Sequence, residues 1–358
     1  MITIAAATVN QALIQGLQVI ANHGHASPSR NGAVLSPNGP VTTMTSFPTC
    51  RVLSVPGRGE NPFFHLIESL WMLAGRNDLK PLVSIVPSFK NYSDDGGKTQ
   101  RGAYGYRWRK WFEFDQLDWA IRRLKDDPND RRVVITHWDG NKDPRVADVN
   151  AKDVPCNTHI YLLVRDGQLD MTVCCRSNDM LWGAHGANAV HFSMLQEYLA
   201  AGIGVGVGVM WQVSNNYHLY EGKASPALLE AVAGDPTGRR FDRYQTEIPV
   251  FETGAVWTPY PIFDQGQPFE TWAEDLEMWW EEPTMVGLRH SFFRRVATPV
   301  MMAQKALQQK QDPSRFQTAL DALAQCRAPD WREACEGWVK RAQTRYNKAQ
   351  ADGPDRSV

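Results

Sequence analysis

The chain has few cysteines and no long apolar run, and both shortages exclude whole classes of protein. Only six cysteines occur in 358 residues, without the spacings of a disulfide framework or a zinc site. We expect free thiols, a reducing compartment and no bound metal. No window approaches about eighteen consecutive apolar residues, and no basic stretch precedes an apolar block at the N-terminus. Neither a membrane span nor a signal peptide is expected, which favours a cytoplasmic protein.

The sequence also lacks an excess of charge of either sign. Its 38 basic and 39 acidic side chains leave a formal net charge of -1, so bulk electrostatics give no reason to expect direct nucleic-acid binding. Hydrophobic residues make up 43% of the chain and charged residues 22%, which is typical of a soluble globular protein with a substantial core.

A cysteine and an arginine face each other across a predicted β-hairpin. Residues 158–164 and 168–175 are rich in β-branched and aliphatic side chains, and they flank the turn Arg165-Asp166-Gly167. Cys156 precedes the first strand and Arg176 follows the second. A guanidinium near a thiol lowers the thiol pKa, and it can also hold a phosphate. Alone, Cys156 is more readily a small buried apolar residue; with Arg176 it becomes a candidate nucleophile.

Helical spacing predicts three helices in the same part of the chain. One begins at Val9 after the N-cap Thr8 and ends near Gly24, and another covers about residues 188–201. The helix over residues 62–74 carries Glu68 between two apolar stripes. Burial raises the pKa of a carboxyl toward the range useful for proton transfer. Glu68 is therefore either a general acid/base or a buried acid satisfied by a helix terminus or an arginine.

Two adjacent arginines stand at the entrance of another predicted strand. Arg131 and Arg132 precede residues 133–138, and turn-forming residues 127–130 precede the pair. Such a doublet is either a solvated strand edge or an anion site. The local pattern alone favours the solvated edge.

Taken in order, these and other motifs resemble thymidylate synthase and its relatives, the pyrimidine-nucleotide hydroxymethylases. The resemblance runs from Val9 to Tyr220, and no single motif decides it. The matching motifs are Arg30 in a turn, Glu68-Ser69-Leu70-Trp71, Gly102-Ala103-Tyr104-Gly105-Tyr106-Arg107-Trp108, Arg131-Arg132, Pro155-Cys156, Arg176-Ser177-Asn178-Asp179, Gly183, Asn188 and His218-Leu219-Tyr220.

The resemblance implies an α+β fold of the thymidylate synthase type, with three layers and a large mixed β-sheet that forms a dimer interface. Residues 1–265 would be the catalytic domain. Amphipathic helical patterns over residues 266–348 predict a C-terminal extension packed on that domain, with a lid or a docking surface for partner enzymes as the alternative. Residues 349–358 are expected to be a disordered tail.

The resemblance also implies a reaction. Cys156 would add to carbon 6 of a pyrimidine nucleotide, and carbon 5 would then take a one-carbon unit from 5,10-methylenetetrahydrofolate. Glu68 would organise proton transfers, and Tyr104 would join the removal of the carbon 5 proton. The folate side would comprise Asp179, Gly183, Phe89 and Trp71.

The nucleotide would be held by residues of two subunits. Arg30, Arg176 and Ser177 would bind the 5′-phosphate from one subunit, while Arg131 and Arg132 would reach over from the other. Such sharing makes a homodimer obligatory for activity, and it favours the anion site over the solvated edge for the doublet. The sugar hydroxyl would be bound by His218 and Tyr220.

Base choice is expected to rest on Asn188, which aligns with the family's amide after one extra residue within 184–187. An amide can donate to O4 and accept from N3–H, as uracil requires, whereas an aspartate would suit cytosine. This favours dUMP, with dCMP as the alternative. Asn157 departs from the histidine that usually follows the nucleophile, which alters the water network around O4.

Two departures from the family bear on the product. Residues 86–92 replace the tryptophan-rich segment that packs on folate, and the short apolar tail that closes the site is missing. A less sheltered site favours water capture of the exocyclic methylene, which predicts 5-hydroxymethyl-dUMP. The alternative is dTMP, formed if Phe89, Tyr92 and the C-terminal helices rebuild a dry site.

A non-catalytic nucleotide-binding regulator is a third possibility. Such a protein would have no need to retain a complete catalytic set, and its discriminating property would be tight nucleotide binding without carbon 5 chemistry. The set retained here is Cys156, Glu68, Tyr104, Arg176, Asp179 and Asn188.

Overall fold

The chain forms two compact units in a computed structural model that describes residues 1–149, 151–244 and 256–351. The first unit is Met1–Glu60 with Glu68–Trp257, and the second is Asn61–Ile67 with Thr258–Val358. The boundary predicted after residue 265 falls inside the second unit. Helical periodicity starts only near Phe269, but the preceding extended residues already join this unit, since the Trp272 indole donates to the Ile262 carbonyl at 2.8 Å.

The described part of the first unit contains two mixed β-sheets. The larger sheet has the strand order β1-β4-β9-β7-β6-β5, in which β1/β4 and β7/β9 are parallel and the other neighbours are antiparallel. The smaller sheet has the order β2-β3-β10-β8. The strands are β1 (Ile2–Ala6), β2 (Gly24–Ser29), β3 (Gly32–Pro37), β4 (Val41–Thr45), β5 (Val134–Thr136), β6 (Asn157–Arg165), β7 (Gln168–Cys175), β8 (Asn178–Asp179), β9 (Gly206–Ser214) and β10 (Tyr217–Tyr220).

Twelve α-helices lie in the residues that the structure describes. They are α1 (Val9–His23), α2 (Pro62–Leu73), α3 (Lys80–Val83), α4 (Tyr104–Tyr106), α5 (Gln116–Asp126), α6 (Asp143–Asp148), α7 (Asn188–Ile203), α8 (Pro226–Gly234), α9 (Glu270–Glu281), α10 (Thr298–Gln308), α11 (Arg315–Leu323) and α12 (Pro329–Ala351). The α+β class, the large mixed sheet and the C-terminal helices implied by the resemblance are confirmed. The role of the sheet as a dimer interface stays a prediction.

The predicted local signals account for the elements that carry the site. The Thr8 side chain caps α1 by accepting from the Gln11 N–H at 3.5 Å. Asp166 and Gly167 have positive φ angles of 50° and 70°, as a two-residue turn between β6 and β7 requires. Helix α7 ends at Gly204, whose φ of 88° is left-handed. These signals fix the hairpin and the long helix on which the site is built.

The second unit has an aromatic core of its own. Trp272, Trp279 and Phe293 are fully buried, and the Trp272 and Phe293 rings lie 5.1 Å apart. Buried Asp275 accepts the backbone N–H groups of Arg289 and His290, each at 2.7 Å. The C-terminal region is therefore a packed helical module.

The predicted disordered tail is partly wrong. Residues 349–351 form the last turn of α12, because Lys348 and the Gln and Ala residues after it are good helix formers. Residues 352–358 lie outside the described residues. No helix in the described ranges is long and apolar enough to cross a membrane.

Candidate active site

The β6/β7 hairpin brings Cys156 and Arg176 together. Strand register pairs Asn157 with Cys175, so the residues just outside these two also face each other. The Arg176 backbone N–H donates to the Cys156 carbonyl at 2.8 Å, and its Nη2 lies 3.7 Å from the Cys156 Sγ. The hairpin turn thus sets the distance between the candidate nucleophile and the cation.

Arg176 also clamps the segment that leads to the nucleophile. Its Nε donates to the Pro155 carbonyl at 2.8 Å and its Nη2 to the Val154 carbonyl at 2.9 Å. A planar guanidinium held at two points has little freedom to rotate. The arginine therefore positions Cys156 as well as its own charge.

Burial raises the pKa of the Cys156 thiol above its usual value, although Arg176 and Arg30 each lower it. Asp153 raises it further. The expectation that the guanidinium lowers the thiol pKa is correct for the arginine's own effect and wrong for the net direction. Loss of hydration outweighs the attraction of the two cations, because a thiolate needs water that this site withholds.

Glu68 is buried on α2 and faces a histidine that the sequence did not single out. The His191 Nε2, on α7, lies 3.0 Å from the Glu68 Oε2, but the angle between them is not that of a hydrogen bond. Among the residues that the structure describes, neither an arginine nor a helix terminus is paired with Glu68. Contact with a histidine leaves the acid/base interpretation of Glu68 in place.

Tyr104 lies beside the backbone of the nucleophile segment. Its hydroxyl accepts the Asn157 N–H at 3.4 Å, and its ring packs edge-on against His137 at 5.0 Å. Burial raises the pKa of Tyr104, and nearby Cys156 adds to this effect. The phenol therefore stays protonated at neutral pH and can donate or relay a proton.

A ladder of buried polar groups, which we call the amide ladder, joins Asn188 to Asn157. The Asn188 Nδ2 donates to the Asn178 Oδ1 at 3.1 Å, and the Asn178 Nδ2 donates to Ser214 at 3.0 Å and reaches the Cys175 Sγ at 3.6 Å. The Cys175 thiol then donates to the Asn157 Oδ1 at 2.5 Å. Each group fixes the orientation of the next, so both terminal amides are held in one orientation.

The extra residue within 184–187 lies in a kinked helical segment over Met180–Ala187, in which His185 and Gly186 leave helical backbone angles, with φ/ψ of -111°/26° and -131°/-115°. His185 is buried in it, and its Nε2 lies 2.7 Å from the Tyr217 hydroxyl. Asn188 starts α7 directly after this kinked segment and donates to Asn178, so it stands on the ladder.

Asp179 begins this segment, and Gly183 lies against the ladder. The Asp179 Oδ1 accepts the N–H groups of Leu181 and Trp182 at 2.7 and 2.8 Å. Burial raises the pKa of Asp179, while those N–H groups, His218 and Arg58 lower it. A Cβ on Gly183 would approach the Asn178 Oδ1 to 2.4 Å, so only glycine fits there.

The remaining nucleotide-side candidates lie on turns and strand ends. His218 pairs with Asp179 in the β8/β10 register, and its ring packs edge-on against Tyr220 at 5.2 Å. Arg30 is exposed on the β2/β3 turn, and Ser177 is partly exposed next to Arg176. Arg30 and Arg176 are the predicted phosphate ligands that affect the Cys156 pKa.

Other predicted residues do not join this cluster within one chain. Arg131 and Arg132 are exposed where β5 begins, and Arg132 pairs with Asp130 at 2.8 Å. Trp71 is 1% exposed and its indole donates to the Asp78 carbonyl at 2.9 Å, so it presents almost no surface to a cofactor. Phe89 is partly buried and lies 5.8 Å from the Tyr92 ring.

Two side chains near Asp179 were not among the residues predicted from the sequence. Trp182 is 55% exposed, and the guanidinium of buried Arg58 lies 5.1 Å from its ring centre. Arg58 also donates to the Leu181 carbonyl. Trp182 could have been proposed from its place one residue before Gly183. Nothing in the sequence links Arg58 to a segment more than a hundred residues away.

The thymidylate synthase family model matches residues 62–238, and the chain belongs to this family. Over 354 residues, 98% of this chain and 97% of the relative, it is 44% identical to the deoxyuridylate hydroxymethyltransferase of Pseudomonas phage M6.

Two other relatives carry the same name. The enzyme of Bacillus phage SP01 is 35% identical over 53% of this chain and 54% of its own length, and that of Delftia phage PhiW-14 is 32% identical over 58% and 62%. The solved thymidylate synthase from T4 phage aligns at 21% identity with a TM-score of 0.47, over 58% of this chain and 76% of that chain.

Proposed function

We propose that this protein transfers a one-carbon unit to carbon 5 of dUMP and releases 5-hydroxymethyl-dUMP. The observation that carries the proposal is the 44% identity to a phage deoxyuridylate hydroxymethyltransferase over 98% of this chain. The similarity extends through the C-terminal unit, beyond the residues that the family model matches. The proposal therefore concerns the whole chain and not the synthase-like core alone.

Cys156 would open the reaction by adding to carbon 6 of the pyrimidine. Its thiol pKa is raised by burial and lowered by Arg176 and Arg30, so these two guanidinium groups would help to form the thiolate. Glu68, beside His191, would direct protons toward the ring oxygen. Tyr104, protonated at neutral pH, would relay the proton that leaves carbon 5.

Asn188 would select uracil from the end of the amide ladder. One of its N–H groups is already engaged by the Asn178 Oδ1, which leaves the other N–H and the carbonyl for a base. This remaining pair of one donor and one acceptor matches O4 and N3–H of uracil. Because the ladder fixes the amide, the pair faces the base before binding.

The phosphate site would be completed by a second copy of the chain. Arg30, Arg176 and Ser177 would come from one protomer, with Arg131 and Arg132 of the partner subunit. Exposure of both doublet residues at the start of β5 supports this assignment, since a single chain gives them no role at Cys156. The functional unit would then be a homodimer.

The folate side fits a flat aromatic ligand. The exposed Trp182 indole offers a stacking surface, and Asp179 provides a carboxyl beside it that can pair with ring N–H groups. When bound, 5,10-methylenetetrahydrofolate would supply the methylene carbon. Gly183 would let the ligand approach the backbone, with Phe89 as an outer contact. Trp71 would act by supporting α2 from the core.

The product test is direct. Protein, dUMP and 5,10-methylenetetrahydrofolate are incubated, the nucleotide is weighed by mass spectrometry, and dihydrofolate absorbance is followed. We expect 5-hydroxymethyl-dUMP without dihydrofolate. A methyl product with stoichiometric dihydrofolate would replace the hydroxymethylase with a thymidylate synthase, and competition between dUMP and dCMP in one tube would test the base.

A further inference from the structure

A third carboxylate lies close to the nucleophile and has no part in the chemistry described above. Asp153 stands three residues before Cys156 and is partly buried. Its Oδ2 accepts the Gly102 N–H at 2.5 Å, while its Oδ1 receives no hydrogen bond from the residues that the structure describes. One oxygen is thus anchored and the other is available.

The segment around Asp153 is tied on both sides. Asp94 accepts the Lys152 N–H at 2.9 Å and the Arg101 Nε at 3.3 Å. Arg176 holds the next two carbonyls, those of Val154 and Pro155. A side chain between two such anchors is positioned by the backbone, which is what a catalytic group requires.

The backbone brings Asp153 near both groups: it stands three residues before Cys156, and its partner Gly102 stands two residues before Tyr104. Its charge raises the pKa of Cys156 and of Tyr104. Burial raises its own pKa to about 6, against the pull of the Gly102 N–H, Arg107 and Arg101, and Asp94 adds to the rise. A carboxyl in this range is largely ionised at neutral pH and still basic enough to accept a proton.

The other two carboxylates of the site have different surroundings. The Glu68 Oε2 lies 3.0 Å from the His191 Nε2, and Asp179 caps the segment that follows it by accepting two backbone N–H groups. We propose that Asp153 is the base that takes a proton from the water that captures the carbon 5 methylene. This inference rests on the proposed hydroxymethyl transfer.

The step balances without any further reactant. The water oxygen bonds to the methylene carbon, and one water proton passes to the Asp153 carboxylate. The π electrons of the double bond between the methylene and carbon 5 move toward O4 and form an enolate, while the single bond between these two carbons remains. The enolate then re-forms the double bond between carbons 5 and 6, and the bond from carbon 6 to the Cys156 sulfur breaks to release the thiolate. Asp153 returns its proton to solvent.

The Asp153→Asn variant tests the inference by separating the early steps of the reaction from water capture. The amide oxygen can still accept the Gly102 N–H, so the loop should stay in place. In a single turnover with 5-tritiated dUMP, we expect the rate of tritium release to stay close to that of the unsubstituted protein, while the rate of 5-hydroxymethyl-dUMP formation falls about a hundredfold. Added 2-mercaptoethanol should then trap the methylene as a thioether, and 5-fluoro-dUMP with folate should still label Cys156.

Two further variants serve as controls. Asp153→Glu should restore part of the product, and its product should decline at low pH as that of the unsubstituted protein does, whereas Asp153→Asn should lack this decline. Asp94→Ala removes the acceptor of the Lys152 N–H and of the Arg101 Nε, so it loosens the same loop without removing the base. It should lower tritium release and product in proportion.

Three results would overturn the inference. They are an Asp153→Asn protein that keeps both tritium release and product, one that loses both together, and an Asp94→Ala protein that uncouples the two in the same way. If the unsubstituted protein itself makes dTMP, it is the proposed function that fails, and this is seen before any variant is made.

Discussion

The two sides of the candidate site are built differently. The nucleotide side, which comprises Cys156, Arg176 and the amide ladder, consists of polar groups that already hold one another in place. The proposed folate side centres on the Trp182 indole, which is 55% exposed.

The difference indicates that the two ligands would be bound by different kinds of interaction. A preformed polar site loses little entropy when its ligand arrives and can discriminate by single hydrogen bonds. Exposed rings gain from burial under a flat ligand, but they do not by themselves exclude water. A site that is fixed on one side and open on the other suits a reaction in which the base is read strictly and water reaches carbon 5.

The largest effect should come from breaking the nucleotide side at its centre. Cys156→Ala should abolish turnover because no other group can bond to carbon 6, while dUMP affinity should stay within about tenfold, since one lost hydrogen bond is worth about 1 kcal/mol. Turnover and equilibrium binding measure the two. Cys156→Ser is the matched control and should be equally inactive; labelling of another cysteine by 5-fluoro-dUMP and folate would contradict the assignment.

The next largest effect should come from the end of the ladder. Asn188→Asp exchanges a donor for an acceptor opposite position 4, which should shift preference from dUMP toward dCMP by roughly tenfold to a hundredfold, because an unpaired buried group costs about 1–3 kcal/mol. The carboxylate would also face the Asn178 Oδ1, so some stability should be lost. Competition assays decide, with Asn188→Ala as a control that should weaken both nucleotides alike. A native preference for dCMP would contradict the prediction.

Acid should unfold the protein through its buried histidines. Burial lowers the pKa of His137 and of His185 to about 3, whereas an unfolded histidine titrates near about 6.5. Below about pH 6.5 the unfolded chain therefore binds more protons than the folded chain. The stability that the two neutral histidines contribute above this pH is lost as the pH falls toward 3. Each residue should contribute about 1.4 kcal/mol per pH unit.

Urea unfolding between pH 6.5 and 5 measures this slope, because most carboxylates stay ionised in that window. His137→Gln removes one of the two groups and should lower the slope by about 1.4 kcal/mol per pH unit. An unchanged slope in that variant would show that His137 is not buried neutral beside Tyr104.

The smallest effect should come from the open side. Trp182→Ala should raise the folate KM up to about tenfold, since an aromatic contact is worth about 0.5–1.5 kcal/mol, and leave dUMP affinity unchanged. Steady-state kinetics with each substrate varied in turn separate the two. Trp182→Phe should keep most of the folate affinity, and an equal loss of affinity for dUMP would remove the distinction between the sides.

Local signals predicted the elements that carry the nucleophile. The cap at Thr8 and the turn at Asp166-Gly167 each depend on a few adjacent residues, so α1 and the hairpin could be predicted from them. The strand predicted over residues 133–138 shrinks to Val134–Thr136, because the next N–H groups, of His137 and Trp138, both turn to the Thr158 carbonyl.

Contacts between distant segments could not be predicted from the sequence. Glu68 was predicted as an acid/base candidate from its helical face, but its neighbour His191 comes from another helix far along the chain. Asp153 likewise gains its position from Gly102 and its raised pKa from burial. Sequence patterns named the groups that the family shares, and the folded chain was needed to show which further side chains stand beside them.

The second unit is discontinuous along the chain, and this constrains its synthesis. Residues 61–67 leave the ribosome about 190 residues before Thr258, a delay of roughly 10 to 40 s at about 5–20 residues per second. Throughout that time Phe63 lacks its final partner, Trp338. In the folded chain the two rings pack edge-on, with their centres 5.5 Å apart. The nascent chain thus carries an unsatisfied apolar segment, and a protein cut after residue 257 would carry it permanently.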